Sequence, residues 1–321
     1  MIVGGYARAP TRSTPTQRDK GTGCCMNQEC AGVADLSEVH GRSLWYQAWR
    51  RLLRNRMAVG GGIVVIAMAA LALAAPWISP YGYDETSAEQ FQPPSATHLM
   101  GTDIHGRDLL TRVLYGARLS LSIGLVATLV SVGIGVGYGA VSGYVGGAAD
   151  NIMMRIVDIV YSLPYMFFVI ILVAVFGRSV LLLFLALGAV QWLTVARIVR
   201  GQVLSVREKE FIQASYAVGA GHLRIIVNHL LPNVLGPVIV YMTLTVPAVM
   251  LQEAFLSFLG LGVPPPSSSW GTLIADGASA INMLRIYWWL LLFPGAAMAL
   301  TLLSLNFLGD GLRDAIDPQL R

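Results

Sequence analysis

Cysteine is scarce: the three in 321 residues, Cys24, Cys25 and Cys30, all lie near the amino terminus in a CC-x4-C spacing. No disulfide can brace the rest of the fold, and without a second Cys pair, and with only the distant His40, the spacing is not a zinc pattern. In a reducing compartment the three read as free thiols. Charge is equally sparse. With 12% charged and 55% hydrophobic residues and a mean hydropathy of +0.61, the chain has too few charges for a soluble surface of its size. Lysine is almost missing: Lys20 is followed by Gly21 and Lys209 by Glu210, so neither completes the G-x4-G-K-[ST] phosphate loop. The chain is therefore no P-loop ATPase, and energy from ATP would have to arrive from a partner. The first 43 residues lack an apolar h-region and do not form a cleavable signal peptide; their Pro, Thr, Arg and Gly read as a disordered tail.

What is present is a series of apolar runs near 57–78, 119–143, 157–176, 179–197, 236–259 and 288–308. About 20 apolar residues at 1.5 Å each cross roughly 30 Å of hydrocarbon, so these six are expected to span a membrane. The fold class expected is an all-α integral membrane protein. Six spans put both termini and the 198–235 loop on one side, which then holds 17 of the 22 Lys and Arg residues. Positive charge resists translocation, so that side is expected to be cytoplasmic. The net charge of +4 reflects this asymmetry and contact with anionic membrane lipid, and no nucleic-acid partner is expected.

The second run carries Ser131, Gly135, Gly139 and Gly143 at intervals of four, with Gly133 and Gly137 on an adjacent stripe. Small residues at that spacing let helix backbones approach closely in lipid, so GVGYGA from Gly135 to Ala140 reads as a packing seam rather than a nucleotide loop. Ionisable residues inside spans need a reason. Arg155 and Asp158, three apart, share a helix face and are expected to pair, either as a structural pair or as a contact on the ATPase side. Gln252 and Glu253 in the fifth span read as inter-helix hydrogen-bond partners or as lining of a wet path. Pro164 and Pro247 are expected to kink their helices unless neighbours satisfy the freed carbonyls. In GTDIHGRD, from Gly101 to Asp108, the cluster Asp103, His105 and Asp108 reads as turn and cap chemistry in preference to a metal or acid–base site.

The polar segment 197–232 interrupts the apolar chain. Within it stand Gln213, Ala214 and Ser215, then Gly219 and Gly221, then His229 and Pro232. Gln213 to Val218 favours helix, and Ala214 and Ser215 are small enough to let a partner close on the backbone. Gly219 and Gly221 permit left-handed or turn dihedrals, and Pro232 suits the first turn of the next span. A short helix laid into a groove is a recurrent recognition mode.

That spacing resembles the EAA loop of ABC importer permeases, E-A-A-x3-G followed about ten residues later by I-x-L-P. With GRSLW at 41–45, GTDIHGRDLL at 101–110, FLSFLGLG at 255–262, SSWG at 268–271 and NFLGDGLRDAIDP at 306–318, the chain from about Gly41 to Arg321 is similar to the second permease subunit of the ABC oligopeptide/dipeptide/nickel importer family, most like the oligopeptide branch. Gln213 stands for the usual Glu, Ser215 for the second Ala and His229 for Ile.

The resemblance implies a type I importer half with one extra amino-terminal helix before a five-helix core. Its divisions would be 1–43 cytoplasmic tail, 44–80 amphipathic start and first span, 81–117 periplasmic loop, 118–310 permease core with coupling loop 198–235, and 311–321 cytoplasmic tail. It implies a multi-pass protein of the inner membrane with both termini cytoplasmic. The partners implied are a second homologous permease, two ABC ATPases on 201–232, and a periplasmic or lipid-anchored peptide-binding protein facing 79–117 and 261–287. It also implies no catalytic residue, no resident metal and no cofactor in this chain, with ATP and Mg held by the ATPases. Rival readings are a nickel or glutathione permease of the same family, a secondary transporter, and a membrane-embedded enzyme using Asp103, His105 and Asp108.

Overall fold

The computed structural model describes residues 44–281 and 285–316, so the expected tail 1–43 with Cys24, Cys25 and Cys30 lies outside the described residues, as do residues 317–321. Every extended element among the described residues is a helix. A short helix α1, Leu44–Arg54, leads through Asn55 into α2, Arg56–Ile78. Asn55 starts α2 by accepting from the backbone N–H groups of Met57 at 3.1 Å and Ala58 at 3.3 Å, two donors that the first turn cannot satisfy internally. An irregular connection then leads to α3, Leu109–Val145, capped by Asp108 and ending at Gly146.

The following segment shows the kink expected at Pro164 as a full break: the run over 157–176 falls on two helices, α4 (Gly147–Ser162) and α5 (Tyr165–Phe176), bent by 78° at the break between them. Pro164 explains the break. Its nitrogen has no hydrogen to offer the Val160 carbonyl, and its ring pushes Leu163 into extended backbone. Leu163 N–H takes the Val160 carbonyl instead, at 3.2 Å. At about 18 Å the 12-residue α5 is too short to cross the hydrocarbon alone. Five helices are long and apolar enough to cross, or up to six if the bent pair is counted as one span. Pro247 does not produce a comparable break, because α9 runs continuously from Leu231 to Phe258 through Pro237 and Pro247.

The remaining elements are α6 (Val180–Arg207), the short α7 (Glu210–Ala217), α8 (His222–Arg224), a π-helical turn Ile225–Leu230, α9, α10 (Trp270–Ser279) and α11 (Trp288–Ile316). The expected 198–235 loop is helical at both flanks, with α6 continuing to Arg207 and α8 starting at His222, and the connector 208–221 between them holds α7.

Helices α3 and α6 form the tightest seam. A Cβ on Gly135 would collide with Val195, one on Gly139 with the Ala196 carbonyl and Val199, and one on Gly143 with the Arg200 carbonyl and Val203. Gly133 and Gly137, on the adjacent stripe, meet nothing within 4 Å. The same device joins α2 to α11, where Gly61 abuts the Ser304 backbone and Gly311 abuts Ala58. Large apolar side chains such as Ile63, Ile66, Leu73 and Phe176 point outward, as expected of helices solvated by lipid tails.

At one end of the bundle, α10 is wedged among α3, α9 and α11. Trp270 is fully buried; its backbone N–H donates to Ser120 Oγ and its indole N–H to the Val113 carbonyl, both at 3.0 Å. Ser269 caps α10 in a reciprocal capping box with Thr272.

The seam generates a paired prediction. Gly139→Val should destabilise the protein by about 1–3 kcal/mol through overpacking of a fixed backbone contact, whereas Gly137→Ala should leave the thermal unfolding midpoint in detergent unchanged. Equal midpoints for the two variants would contradict the assigned packing.

Candidate functional site

The connector between α6 and α9 folds onto the same end of the bundle as the carboxyl end of α3. Helix α7 begins after a corner at Glu208 and Lys209, where Ile212 N–H donates to the Lys209 carbonyl. Ile212 is the one α7 side chain that is fully buried, in an apolar cluster with Tyr144 of α3, Val199, Val203 and Val206 of α6 and Ile225 and Leu230 of the π turn. Gln213, Ala214 and Ala217 are left exposed, with Phe211 and Val218 beside them.

Helix α7 ends in a Schellman motif. Gly219 has φ +83°, its N–H donates to the Tyr216 carbonyl, and Ala220 N–H reaches back to the Ser215 carbonyl. Only glycine takes that backbone angle without strain. Gly221 differs from expectation: its φ is −66° and it caps α8 in ordinary extended backbone, so no left-handed turn is required there. Pro232 lies in the first turn of α9, directly after the π-helical turn. The wider π turn, with Leu231 N–H donating to the Ile226 carbonyl, carries the chain past a ring that would crowd the Asn228 carbonyl in a regular α-helix. His229 is half-buried in that turn, and its carbonyl accepts from the Asn233 side chain at 2.7 Å.

Gln213 has a local role that explains the amide. Its Nε2 donates to the Arg207 carbonyl at 3.3 Å and so occupies one of the free carbonyls at the end of α6. Ser215 Oγ donates back to the Phe211 carbonyl at 2.8 Å. Three rings tie this platform to α3. The Tyr144 hydroxyl is 2.5 Å from His222 Nδ1, and the Tyr144 ring stacks on Tyr216 at 6.3 Å between centroids.

The charged residues nearby pair differently from the sequence expectation. Asp158 bonds Arg197 of α6 at 2.8 Å, with the guanidinium 4.3 Å over the Tyr161 ring, whereas Arg155 points outward from α4. Both partners of the expected Arg155–Asp158 pair are exposed, and the neighbouring helix offers Asp158 a planar guanidinium already held by an aromatic face. The stronger link was missed. Asp150 takes a two-pronged bond from Arg200 Nε and Nη2, each 2.6 Å, and also accepts from Ser142. It joins α3, α4 and α6 at one point. The signal available was a lone Asp four residues after Gly146 facing a lone Arg, with nothing in the sequence to bring them together.

Gln252 and Glu253 serve as inter-helix links. Gln191 of α6 donates to Gln252 at 3.2 Å. Glu253 is 1% exposed and accepts from Ser257 at 2.7 Å and from the α10 cap residue Ser269 at 2.6 Å, so it binds α9 to α10.

Near the α10 end, Asp103 organises the GTDIHGRD turn. It accepts from His105 N–H, Arg107 N–H and Arg107 Nε at 2.8–2.9 Å and from Arg112 Nη1 at 2.6 Å. Asp108 caps α3 through Thr111 and touches His98 Nδ1 at 3.0 Å. His105 contributes only its backbone and its ring is exposed, while His98, which the sequence reading passed over, is buried, alone among the histidines of the described residues. No group of three or more His, Cys, Asp or Glu able to hold a metal occurs among the described residues. Burial pushes the Asp103 carboxyl up, but donation from the Arg107 backbone, the Arg112 and Arg107 guanidiniums and the His105 backbone outweighs it and holds the group below its ordinary 3.8. A depressed carboxyl stabilises the fold fully above its unfolded pKa and loses that contribution as pH falls through the folded value. Protection against hydrogen exchange across residues 101–112, relative to the intrinsic rate at each pH, should therefore fall below about pH 3.8 in the native protein. Asp103→Asn should flatten that dependence and raise exchange at neutral pH; an unchanged profile would contradict the assignment.

Residues 135–321 match the family of binding-protein-dependent transport system inner membrane components. Residues 43–94 match the N-terminal TM domain of oligopeptide transport permease C. The chain is 48% identical to the oligopeptide transport system permease protein OppC of Haemophilus influenzae, over 92% of this chain and 94% of that protein. It is 50% identical to the Escherichia coli K12 protein of the same name, over 88% of this chain and 94% of that protein. It is 46% identical to the dipeptide transport system permease protein DppC of Bacillus subtilis, over 92% of each. With a family match over more than half its length and relatives near half identity across most of it, the chain belongs to the inner-membrane permease family of binding-protein-dependent transport systems.

Proposed function

We propose that this chain is the permease subunit of an ATP-driven ABC importer that carries oligopeptides or dipeptides across the inner membrane. The observation that carries the reading is the α7 platform, a short helix anchored by Ile212 and closed by Gly219 that exposes Phe211, Gln213, Ala214 and Val218. The names of the similar proteins supply the substrate class. Peptide is preferred to nickel or glutathione on that ground alone.

The mechanism follows from how the platform is attached. An ATPase docked on α7 would move a helix whose one buried side chain, terminal rings and end hydrogen bonds all bear on α3, α6 and α9. Because α3 and α6 touch backbone to backbone, and Asp150 ties α4 to both, displacement of α7 would carry these helices as a body and not bend one of them. Alternation of that body between two positions would open the path to one side at a time. The second half of the path belongs to a second permease. A second ATPase and a peptide-binding protein complete the assembly, with the binding protein over the Asp103 turn and α10.

Arginine distribution supports placing the α7 end in the cytoplasm, where ATP is available. That orientation puts both termini inside only if α4 and α5 together make one crossing. No covalent step on the substrate is assigned to this chain; hydrolysis, with ATP and Mg, belongs to the ATPases.

Gly219→Pro removes both the left-handed turn and the N–H that bonds Tyr216. Peptide uptake by the reconstituted transporter should be lost while the chain still inserts and co-purifies with the second permease; normal uptake would sink the coupling assignment. Gln213→Glu should keep uptake within about fivefold, since an exposed hydrogen bond is worth at most about 1 kcal/mol.

A further inference from the structure

Helix α1 carries three stripes of different character. Ala48 and Leu52 pack on Ala58 of α2 and on Leu312 and Ala315 of α11, which fixes the helix against the end of the bundle. A second stripe is apolar yet exposed: Tyr46, Trp49 and Leu53 are 54%, 60% and 56% accessible. Arg50, Arg51 and Arg54 occupy the third stripe and are exposed too. No acidic residue lies on α1, and none of the ion pairs among the described residues uses these three arginines.

Connectivity sets the depth of the helix. A single residue, Asn55, separates α1 from the membrane-crossing α2, so α1 must lie at a boundary between hydrocarbon and water. Its exposed apolar stripe continues into the outward-facing apolar side chains of α2, beginning with Met57. At that depth an aromatic and aliphatic stripe enters the acyl boundary, and the arginines beside it meet lipid phosphates.

We propose that α1 is an interfacial helix that binds anionic phospholipid headgroups, with Arg50, Arg51 and Arg54 as the phosphate ligands and Trp49 and Leu53 as the apolar anchor. Charge complementarity selects the occupant. Three unneutralised guanidiniums on a helix held at bilayer depth attract an anionic leaflet far more strongly than a zwitterionic one, by roughly fivefold in local lipid enrichment per cation. Because α1 also packs on the carboxyl end of α11, lipid held there would hold the first and last spans in register at the membrane surface. The choice of the cytoplasmic leaflet rests on the orientation proposed above; the lipid site itself does not.

The test uses the complete transporter assembled with all its subunits. Native mass spectrometry after extraction from vesicles of phosphatidylcholine mixed with phosphatidylglycerol should show phosphatidylglycerol retained by the wild type. The triple variant Arg50→Gln/Arg51→Gln/Arg54→Gln should lose that retention, and the triple Arg→Lys variant should restore most of it. Peptide uptake should fall several-fold for the wild type in phosphatidylcholine alone, and should be low and insensitive to phosphatidylglycerol for the Gln variant. Equal phosphatidylglycerol retention by wild type and the Gln variant would overturn the proposal. So would loss of an ATPase or the second permease from the Gln variant while its lipid retention stays, since α1 would then be a protein contact. The lipid measurement does not depend on uptake, so a failure of the transport reading is seen separately.

Discussion

In hydrocarbon there is no water to take a free N–H or C=O group, so each span must satisfy its own backbone along its whole length. This constraint governs where the chain is regular and where it breaks. Helices α2, α3, α6, α9 and α11 are long because interruption is costly. The breaks are built with compensation, through glycines in left-handed backbone at Gly146 and Gly147 and through a π turn ahead of Pro232. At Pro164, where no such compensation holds the axis straight, the helix turns through 78°.

Once the backbone is satisfied, association in lipid depends on how closely helices can approach. The α3 glycines answer this by bringing the α6 backbone against α3, and the consequence reaches beyond packing. Close approach sets Arg200 opposite Asp150 and sets the end of α6 beside Tyr144, so the platform formed by α7 has a rigid support. At the other end of the bundle a carboxylate does comparable work: Glu253 holds the cap of α10, and Trp270 seats that helix on α3. The two ends thus share α3, which runs from the α10 cap to the α7 platform.

Much of this was legible in the chain. Long apolar runs announce spans because their length is a physical requirement, and the family resemblance followed from blocks standing in one order. Gly219 was readable because a helix that must end sharply leaves one residue type suited to the angle. Asp103 and Asp108 were readable as turn and cap residues for a similar local reason. The expected pairing of Arg155 with Asp158 failed because proximity along one helix competes with a partner on another, and Arg197 is invisible to spacing arguments. The kink at Pro164 was legible because proline lacks the N–H that a helix needs, but its 78° angle was not, since hydropathy does not register a missing hydrogen.

The sequence by itself determined the solvent this protein lives in, the number of apolar segments to within the broken one, and the absence of a P-loop signature from these 321 residues. These depend on composition and local backbone rules, which act over a few residues. Only the tertiary structure decided that the Gly135, Gly139 and Gly143 stripe faces α6 while Gly133 and Gly137 face outward, that Asp150 and not Asp158 is the central ion-pair residue, that His98 and not His105 is the buried ring, and that Glu253 is a strut. Most of those depend on which helix lies opposite, a relation between residues 50 positions apart in the Asp150–Arg200 pair and further apart along the glycine seam, and no local rule carries it.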